Sequence, residues 1–422
     1  MRILHTSDWH LGRSLENISR IEEQREFIDQ LCDIADEERI DLVLVAGDVY
    51  DSYNPSAAAE ELFYYALDRL NAGGGRAVVV IAGNHDNPER LCASNPLASK
   101  NGIILLGYPG SRAGVNKYGS AKTGVVDSGA GWLEVGVSRC DHTAVIIALP
   151  YPSEARLEQL LTRETDEKRL QRAYSDRVGS IISALSRKYR ADTVNLALSH
   201  LFMSGGKQSE SERVLQVGGA LTVEPEVLPA RAHFTALGHL HRPQQVKSAP
   251  CPAYYSGSPL AYSFSESDYA KALYIVDAVP GKPADIRELY LSCGRPLKRW
   301  VAVNGIEEAL RWAAEGRDKN AWIDLEVHTD SVITIEQQKN LRELNPGVLN
   351  IRPVIRQQDC PLPAWESRET KSADQLFREY YLYKTKTEIS EELMSTFLDI
   401  LNDSDGLEDE SAGGDGYEAQ VP

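Results

Sequence analysis

Five apolar runs in this chain end in the same kind of polar punctuation, and that constrains the fold more than any other feature. ILHTSDWH closes with Asp8 and His10, LVLVAGDVYD with Asp48 and Asp51, and VVVIAGNHD with Asn84, His85 and Asp86. Further on, LALSH closes with His200 and FTALGHLH with His239 and His241. Near-continuous Val, Ile, Leu and Ala suits strands covered on both faces, the condition of an α/β sandwich. In such an architecture, sites gather at the carboxyl ends of the strands. If these strands lie side by side, all of these groups meet at one rim.

The residue types suit a pair of divalent metal ions. Carboxylate, imidazole and amide oxygen together favour Mn²⁺, Fe²⁺ or Zn²⁺, and no thiolate accompanies them to select a softer ion. On an extended chain Asp8 and His10 project to one face, as do His239 and His241. A carboxylate such as Asp48 can bridge two ions. The glycines before Asp48, Asn84 and His239 let the backbone turn where strand becomes loop. Each signal alone has a plainer reading: Asp-x-His as a hydrogen-bonded turn, GD or GNH as turn punctuation, a lone Ser-His as structural. Their recurrence in one order carries the argument. Five of the nine histidines sit at these strand ends, and His5, His142, His233 and His328 are read as structural.

Charge sets a puzzle for a phosphate ester as substrate. The 422 residues carry a formal net charge of −17, of which seven negative charges fall in residues 403–422. Phosphate affinity ordinarily comes from Lys and Arg, so local positive charge must come from elsewhere, and metal ions can supply it. Arg295, Lys298 and Arg299 of RPLKR form a candidate DNA-binding patch, or else a solvated strand edge. The six cysteines are scattered with no CxxC pair, which points to reduced thiols in a cytoplasmic protein rather than a zinc knuckle. No basic-then-apolar signal opens the chain, and no apolar stretch is long enough to span a membrane.

The expected organisation has four parts. Residues 1–280 alternate apolar runs with amphipathic stretches. Ser19 and Glu22 offer a capping box for a helix carrying Ile21, Phe27, Leu31 and Ile34. Helices are expected over 56–71 and 154–190, and a Gly/Ser-rich hairpin or loop over 108–131. Residues 281–365 read as a small α+β capping domain of β-α-β-β pattern. Residues 372–402 form a helical segment, with Ser372 and Gln375 as a capping box and Leu376, Phe377, Tyr380 and Tyr381 on one side, followed by a break and then Leu393 to Leu401. Residues 403–422 are acidic and read as a disordered tail.

The order D-x-H, GDxxD, GNHD, a single His, then GHxH resembles the calcineurin-like metallophosphoesterase superfamily. In TSDWHLG, AGDVYD, AGNHD and LGHLH it resembles, within that superfamily, the bacterial SbcD family of exonuclease subunits. The resemblance implies a metallophosphoesterase β-sandwich flanked by helices, a capping domain and a helical tail. It implies Asp8, His10, Asp48 and His241 on one metal, and Asp48, Asn84, His200 and His239 on the other. His85 takes the place of the family's catalytic histidine, and Asp51 and Asp86 orient the ligands. The implied activity is Mn²⁺-dependent: 3′–5′ exonuclease action on double strands, and endonuclease action on single strands and hairpins, in DNA repair, recombination and replication. The implied partners are DNA, an SbcC-type coiled-coil ATPase gripped by the tail helices, and a second copy within a heterotetramer, with residues 53–71 and 88–100 as dimer-forming candidates. A small-molecule phosphodiesterase using the same site, and a non-catalytic scaffold, are the alternatives.

Overall fold

The computed structural model describes residues 1–116, 123–153, 156, 167–212, 222–330, 332–355, 373–385, 389–391 and 393–398. The chain divides into two compact units, Met1–Arg356 and Gln357–Pro422.

The first unit rests on two sheets packed face to face. One runs in the order Asp285–Tyr290, Ala272–Asp277, Arg2–Thr6, Leu42–Val45, Ala77–Ile81, Ile103–Leu106, with its last four strands parallel. The other runs Gln244–Gln245, Ala253–Tyr255, Phe234–Gly238, Val194–His200, Thr143–Leu149, Trp132–Gly136, Gly124–Gly129, with its second to fifth strands parallel. Ile3, Leu44, Val79 and Ile81 of the first sheet meet Ile146, Leu196, Leu198 and Phe234 of the second in a buried core. Alternate residues point outward. Leu4, Val43, Val45 and Val80 pack under the helices Ile21–Glu37 and Ala57–Asn71, and Val145, Ile147 and Ala197 under the helix Glu167–Leu185. Both faces of each central strand are therefore covered, and each such side chain contributes about 1.5–3 kcal/mol by leaving water. This is why the runs are apolar throughout rather than alternating.

Local differences from the sequence reading have identifiable causes. The capping box at Ser19 and Glu22 does not form. Ser19 pairs in a short hairpin with Ser14, the helix begins at Ile21 with no side-chain cap, and the preceding Arg20 turns inward to Glu23 at 2.5 Å. Ser56 does cap its helix, accepting from the Ala59 amide at 3.3 Å. Of the expected helix over 154–190, Glu167–Leu185 is helical, and residues 154–155 and 157–166 lie outside the described residues. The Gly-rich 108–131 contains the strand Gly124–Gly129, which forms a hairpin with Trp132–Gly136.

The small third sheet is parallel, Leu297–Ala302, Trp322–Thr329, Val348–Ile355, with helices Ile306–Ala314 and Ile335–Leu344 between the strands. The pattern is β-α-β-α-β, not β-α-β-β. The second helix escaped detection because it is polar nearly all round: Leu341 is its one buried residue. Its start is nonetheless marked by a capping box between Thr334 and Gln337. The strand Asp285–Tyr290 still belongs to the first sheet, so the separate core of Trp300, Ile323, Leu325, Val327 and Leu341 begins later than residue 281. Trp322 joins this domain to the sandwich, packing with Leu15, Phe264 and Leu297 and donating from Nε1 to Glu23 at 3.0 Å.

In the second unit, Ala373–Thr385 is helical. Leu376 and Tyr380 are exposed, while Phe377 stacks on Phe397 with ring centroids 3.7 Å apart and touches Tyr381. Ser372, Leu401 and the acidic residues 403–422 lie outside the described residues.

Candidate metal centre

The carboxyl ends of five parallel strands, three from the first sheet and two from the second, open onto one rim, and the polar residues converge there. Asp8, His10, Asp48, His200, His239 and His241 are all buried. Asp48 lies in their midst. Its Oδ2 is 3.5 Å from His200 Nε2, 3.7 Å from His10 Nε2 and 4.0 Å from His85 Nε2. On one side, His10 Nε2 and His241 Nε2 approach to 3.0 Å, and Asp8 offers an oxygen to the same cluster. On the other, the Asn84 amide oxygen is 2.8 Å from His200 Nε2 and 3.1 Å from His239 Nδ1.

The backbone at the rim differs from the extended geometry expected of Asp-x-His. Asp8, His10 and Asp48 all have positive φ, at 52°, 47° and 49°, and His239 has 111°. Such conformations are costly for non-glycine residues and persist where surrounding structure imposes them. Here neighbouring loops zip together: the amides of Asp8 and His10 donate to the carbonyls of Gly47 and Asp48, each at 3.0 Å. Side chains from the two sheets lock the rim further. His200 Nδ1 donates to the Ala46 carbonyl at 2.8 Å, and the His239 amide donates to Asp8 Oδ1 at 2.9 Å. Among the three glycines, only Gly47 has the positive φ of a turn, at 88°. Gly83 and Gly238 are needed for space: a Cβ on the first would strike the Asp48 carboxylate, and on the second the Ala46 carbonyl.

Burial favours the neutral form of His10, His200 and His239, the form in which imidazole ligates a metal. Burial pushes His10 and His239 down to about 3 and lowers His200 as well. With protein charges alone the carboxylates conflict. Burial and then the neighbouring Asp48 push Asp8 well above the ordinary range. Asp48 is itself raised by burial, but His200, His85 and His10 outweigh that and hold it low. Buried carboxylates beside imidazoles, with the Nε2 atoms of His10 and His241 facing each other at 3.0 Å, form a donor set that divalent cations fit.

His85 stands at the mouth. Its Nδ1 donates to the Asp51 carbonyl at 2.7 Å, which leaves Nε2 facing Asp48 and a cleft of about 550 Å³ lined by Gly12, Arg13, Ser14, Glu16, Asn17, Asp51, His85, Ser211 and Glu212. The Asp51 carboxylate is 3.5 Å from His10 Nδ1. Asp86 is buried and accepts from the amides of Val49, Tyr50 and Gly83, tying the two loops that carry Asp48 and Asn84. Burial and the nearby Asp48 push its carboxyl up to about 6. Of the RPLKR residues, Lys298 and Arg299 lie on the strand Leu297–Ala302 of the third sheet and Arg295 just before it. Arg295 stacks over Trp322 at 4.7 Å, Lys298 is exposed, and Arg299 shares Asp324 with Arg352.

One relay was not legible in the sequence. His241 Nδ1 meets Ser211 Oγ at 2.5 Å, Ser211 donates to Glu266, and the buried Lys271 ammonium bonds Glu266 and, at 2.9 Å, Ser258. Burial raises Glu266, but Lys271 and His241 together hold it below the carboxylate range. Glu266 and Lys271 follow no apolar run, so no pattern flags them. Removing one partner of a buried ion pair strands the other charge. Lys271→Met is therefore expected to lower unfolding free energy by about 3 kcal/mol, read by denaturant titration.

A cluster of buried carboxylate and imidazole groups around Asp48, able to hold divalent metal ions, with a histidine at the cleft mouth, is the kind of site found in metallophosphoesterases. Residues 1–243 match the family model described as calcineurin-like phosphoesterase, and residues 293–385 match one described as the type 5 capsule protein repressor C-terminal domain. The chain is 44% identical over 413 residues to the SbcD subunit of the nuclease SbcCD from Bacillus subtilis, covering 98% of this chain and 100% of that one. It is 32% identical over 294 residues to the SbcD subunit of the same nuclease from Rhodobacter capsulatus, covering 67% of each. Similar solved structures include a dimetal phosphatase from Danio rerio (11% identity, TM-score 0.39, covering 69% of this chain and 98% of that one). Another is a protein from Thermus thermophilus (10% identity, TM-score 0.35, covering 68% and 98%). The chain belongs to the SbcD family of nuclease subunits within the calcineurin-like phosphoesterases. No helix among the described residues is long and apolar enough to cross a membrane.

Proposed function

We propose that the chain is the nuclease subunit of an SbcCD-type complex, cleaving DNA phosphodiesters in the cytoplasm during repair, recombination and replication. The observation that carries this is the convergence on Asp48 of ligands from five strand ends. Asp8, His10, Asp48 and His241 would hold one divalent cation, and Asp48, Asn84, His200 and His239 the other, with Mn²⁺ the expected metal. Bound there, the two cations would acidify a water for attack and offset the charge of the phosphate, which answers the puzzle of an acidic protein with a polyanionic substrate.

The protein's own groups do the rest. His85, with Nδ1–H fixed on the Asp51 carbonyl, presents Nε2 to the cleft, where it would contact the scissile phosphate and help the leaving group depart. Asp86 holds the loops of Asp48 and Asn84 in register. Ser211 selects the His241 tautomer that leaves Nε2 free, as partners of ligating histidines do. Lys298 and Arg299 on the third sheet would contact the DNA backbone.

The expected products are those of 3′–5′ exonuclease action on double-stranded ends and of endonuclease action on hairpins and single strands. Leu376 and Tyr380, exposed on the tail helix, together with Phe377 and Tyr381, would dock on the coiled coil of an SbcC-type ATPase as helix anchors. A second copy would pair through residues 53–71 and 88–100, where Tyr53, Tyr64 and Leu97 are exposed, giving a homodimer within a heterotetramer.

The test is a hairpin DNA cleavage assay with Mn²⁺, using the full chain with and without its ATPase partner. His85→Ala is expected to slow cleavage about 10²-fold while cation binding, followed by calorimetry, persists. Turnover of a cyclic nucleotide without DNA cleavage would sink the nuclease assignment.

A further inference from the structure

We infer that Arg13 is a phosphate-binding residue that takes a backbone phosphate of the nucleic-acid strand entering the cleft beside His85. The inference rests on the nuclease assignment above and adds a subsite to it. Among the described residues lining the cleft, Arg13 is the only Lys or Arg, set against Glu16, Asp51 and Glu212. An acidic cleft repels a polyanion, so one fixed cation at its wall has large leverage on binding.

The guanidinium is aimed rather than free. Nη2 donates to the Ser211 carbonyl at 2.8 Å, and the head lies over the Tyr262 ring at 5.1 Å. Nη1 is 3.6 Å from Asp51 Oδ1 and makes no hydrogen bond although the atom is buried. A structural Arg–carboxylate pair closes to hydrogen-bond distance, often through two parallel bonds. This one does not, and buried donors left unmet are costly. Asp51 in turn faces His10 Nδ1 at 3.5 Å, and its carbonyl holds His85. Arg13 therefore stands one side chain away from both the ligand cluster and the mouth histidine, where the strand flanking a scissile phosphate must pass. Its planar fork matches two oxygens of a phosphate, which a Lys would meet only as a point charge.

The experiment measures binding of a fluorescent single-stranded oligonucleotide by anisotropy across a salt series, with Mn²⁺, in the full chain carrying His85→Ala to suppress cleavage. Adding Arg13→Met is expected to weaken affinity about 5- to 10-fold and to reduce the slope of log K against log salt by about 0.7, the loss of one single-strand phosphate contact. Arg13→Lys is expected to restore the slope but not the full affinity. Arg13→Gln, which retains a donor for Ser211, replaces the Met variant should that one misfold. An affinity loss with unchanged slope, or no loss, overturns the inference while a DNA-cleaving wild type leaves the nuclease assignment standing. A wild-type chain that neither binds nor cuts DNA overturns both.

Discussion

Asp48→Asn is expected to reduce phosphodiester cleavage by at least about 10⁴-fold while changing thermal stability far less. Asp48 Oδ2 is the carboxylate oxygen that faces histidines of both proposed ligand sets, at 3.5 Å from His200 and 3.7 Å from His10. Replacing it with an amide removes one negative charge from two cation positions at once. Two losses of about 3 kcal/mol in transition-state stabilisation correspond to about 10⁴ in rate. The fold loses the pull of His200, His85 and His10 on Asp48, but other effects offset that loss. Asn keeps an oxygen for the His85 amide, which now donates to Asp48 Oδ1 at 2.9 Å. It also relieves the repulsion that helps push Asp8 upward. The signature is therefore a large loss of function with a far smaller change in stability, as expected where charges are crowded for function. Mn²⁺-dependent hairpin cleavage and melting without added metal measure the two sides. Residual activity above about one hundredth of wild type would mean that no cation depends on Asp48 to this degree.

The parts legible in the sequence are those with one-dimensional signatures. A strand covered on both faces must be apolar throughout, so the central strands at Leu42–Val45, Ala77–Ile81, Val194–His200 and Phe234–Gly238 declare themselves. Their terminal polar residues mark the rim, because only a functional demand places Asp, Asn and His where the burial pattern would continue. Other elements lack such a signature. The helix Ile335–Leu344 buries only Leu341, so its periodicity is too weak to see. The strand Asp285–Tyr290 is largely exposed, and nothing in its composition assigns it to the first sheet rather than the third.

At the rim, the meeting of these residues was readable in the sequence and their conformation was not. The i, i+2 spacing of Asp8 and His10 suggested a shared face of an extended chain, whereas both residues turn left-handed under hydrogen bonds from the neighbouring loop. Pairing between loops is a long-range property that local spacing does not encode. The same holds for Ser211, Glu266 and Lys271, which reach His241 from loops with no periodic pattern. Arg13 lies beside the first motif in the chain, yet its interest comes from Ser211 and Tyr262, about 200 residues or more away.

Gly83→Ala should separate the two uses of a rim glycine, space and turn. Gly83 has no positive φ to protect, unlike Gly47, so an alanine pays no backbone strain there. Its methyl, however, would occupy the position of the Asp48 carboxylate and crowd the Asp48 amide. The amide belongs to a loop zipped to Asp8 and His10, and Gly83 itself is tied to Asp86 at 2.8 Å. Both the Asp48 side chain and the backbone at its amide must then yield, which moves the carboxylate away from the proposed cation positions. Cleavage is expected to fall about 10³-fold or more, equivalent to about 4 kcal/mol, with a stability loss of about 3 kcal/mol or more, because the Asp48 backbone amide must shift as well as its side chain. Gly110→Ala, at a position where an added Cβ meets nothing within 4 Å, is the matched control and should change stability by less than about 0.5 kcal/mol. Calorimetric titration with Mn²⁺ then reads the mechanism. If Asp48 is displaced, Gly83→Ala binds the cations as poorly as Asp48→Asn does. A variant that binds them normally but is inactive would place the damage at His85, two residues along the same loop.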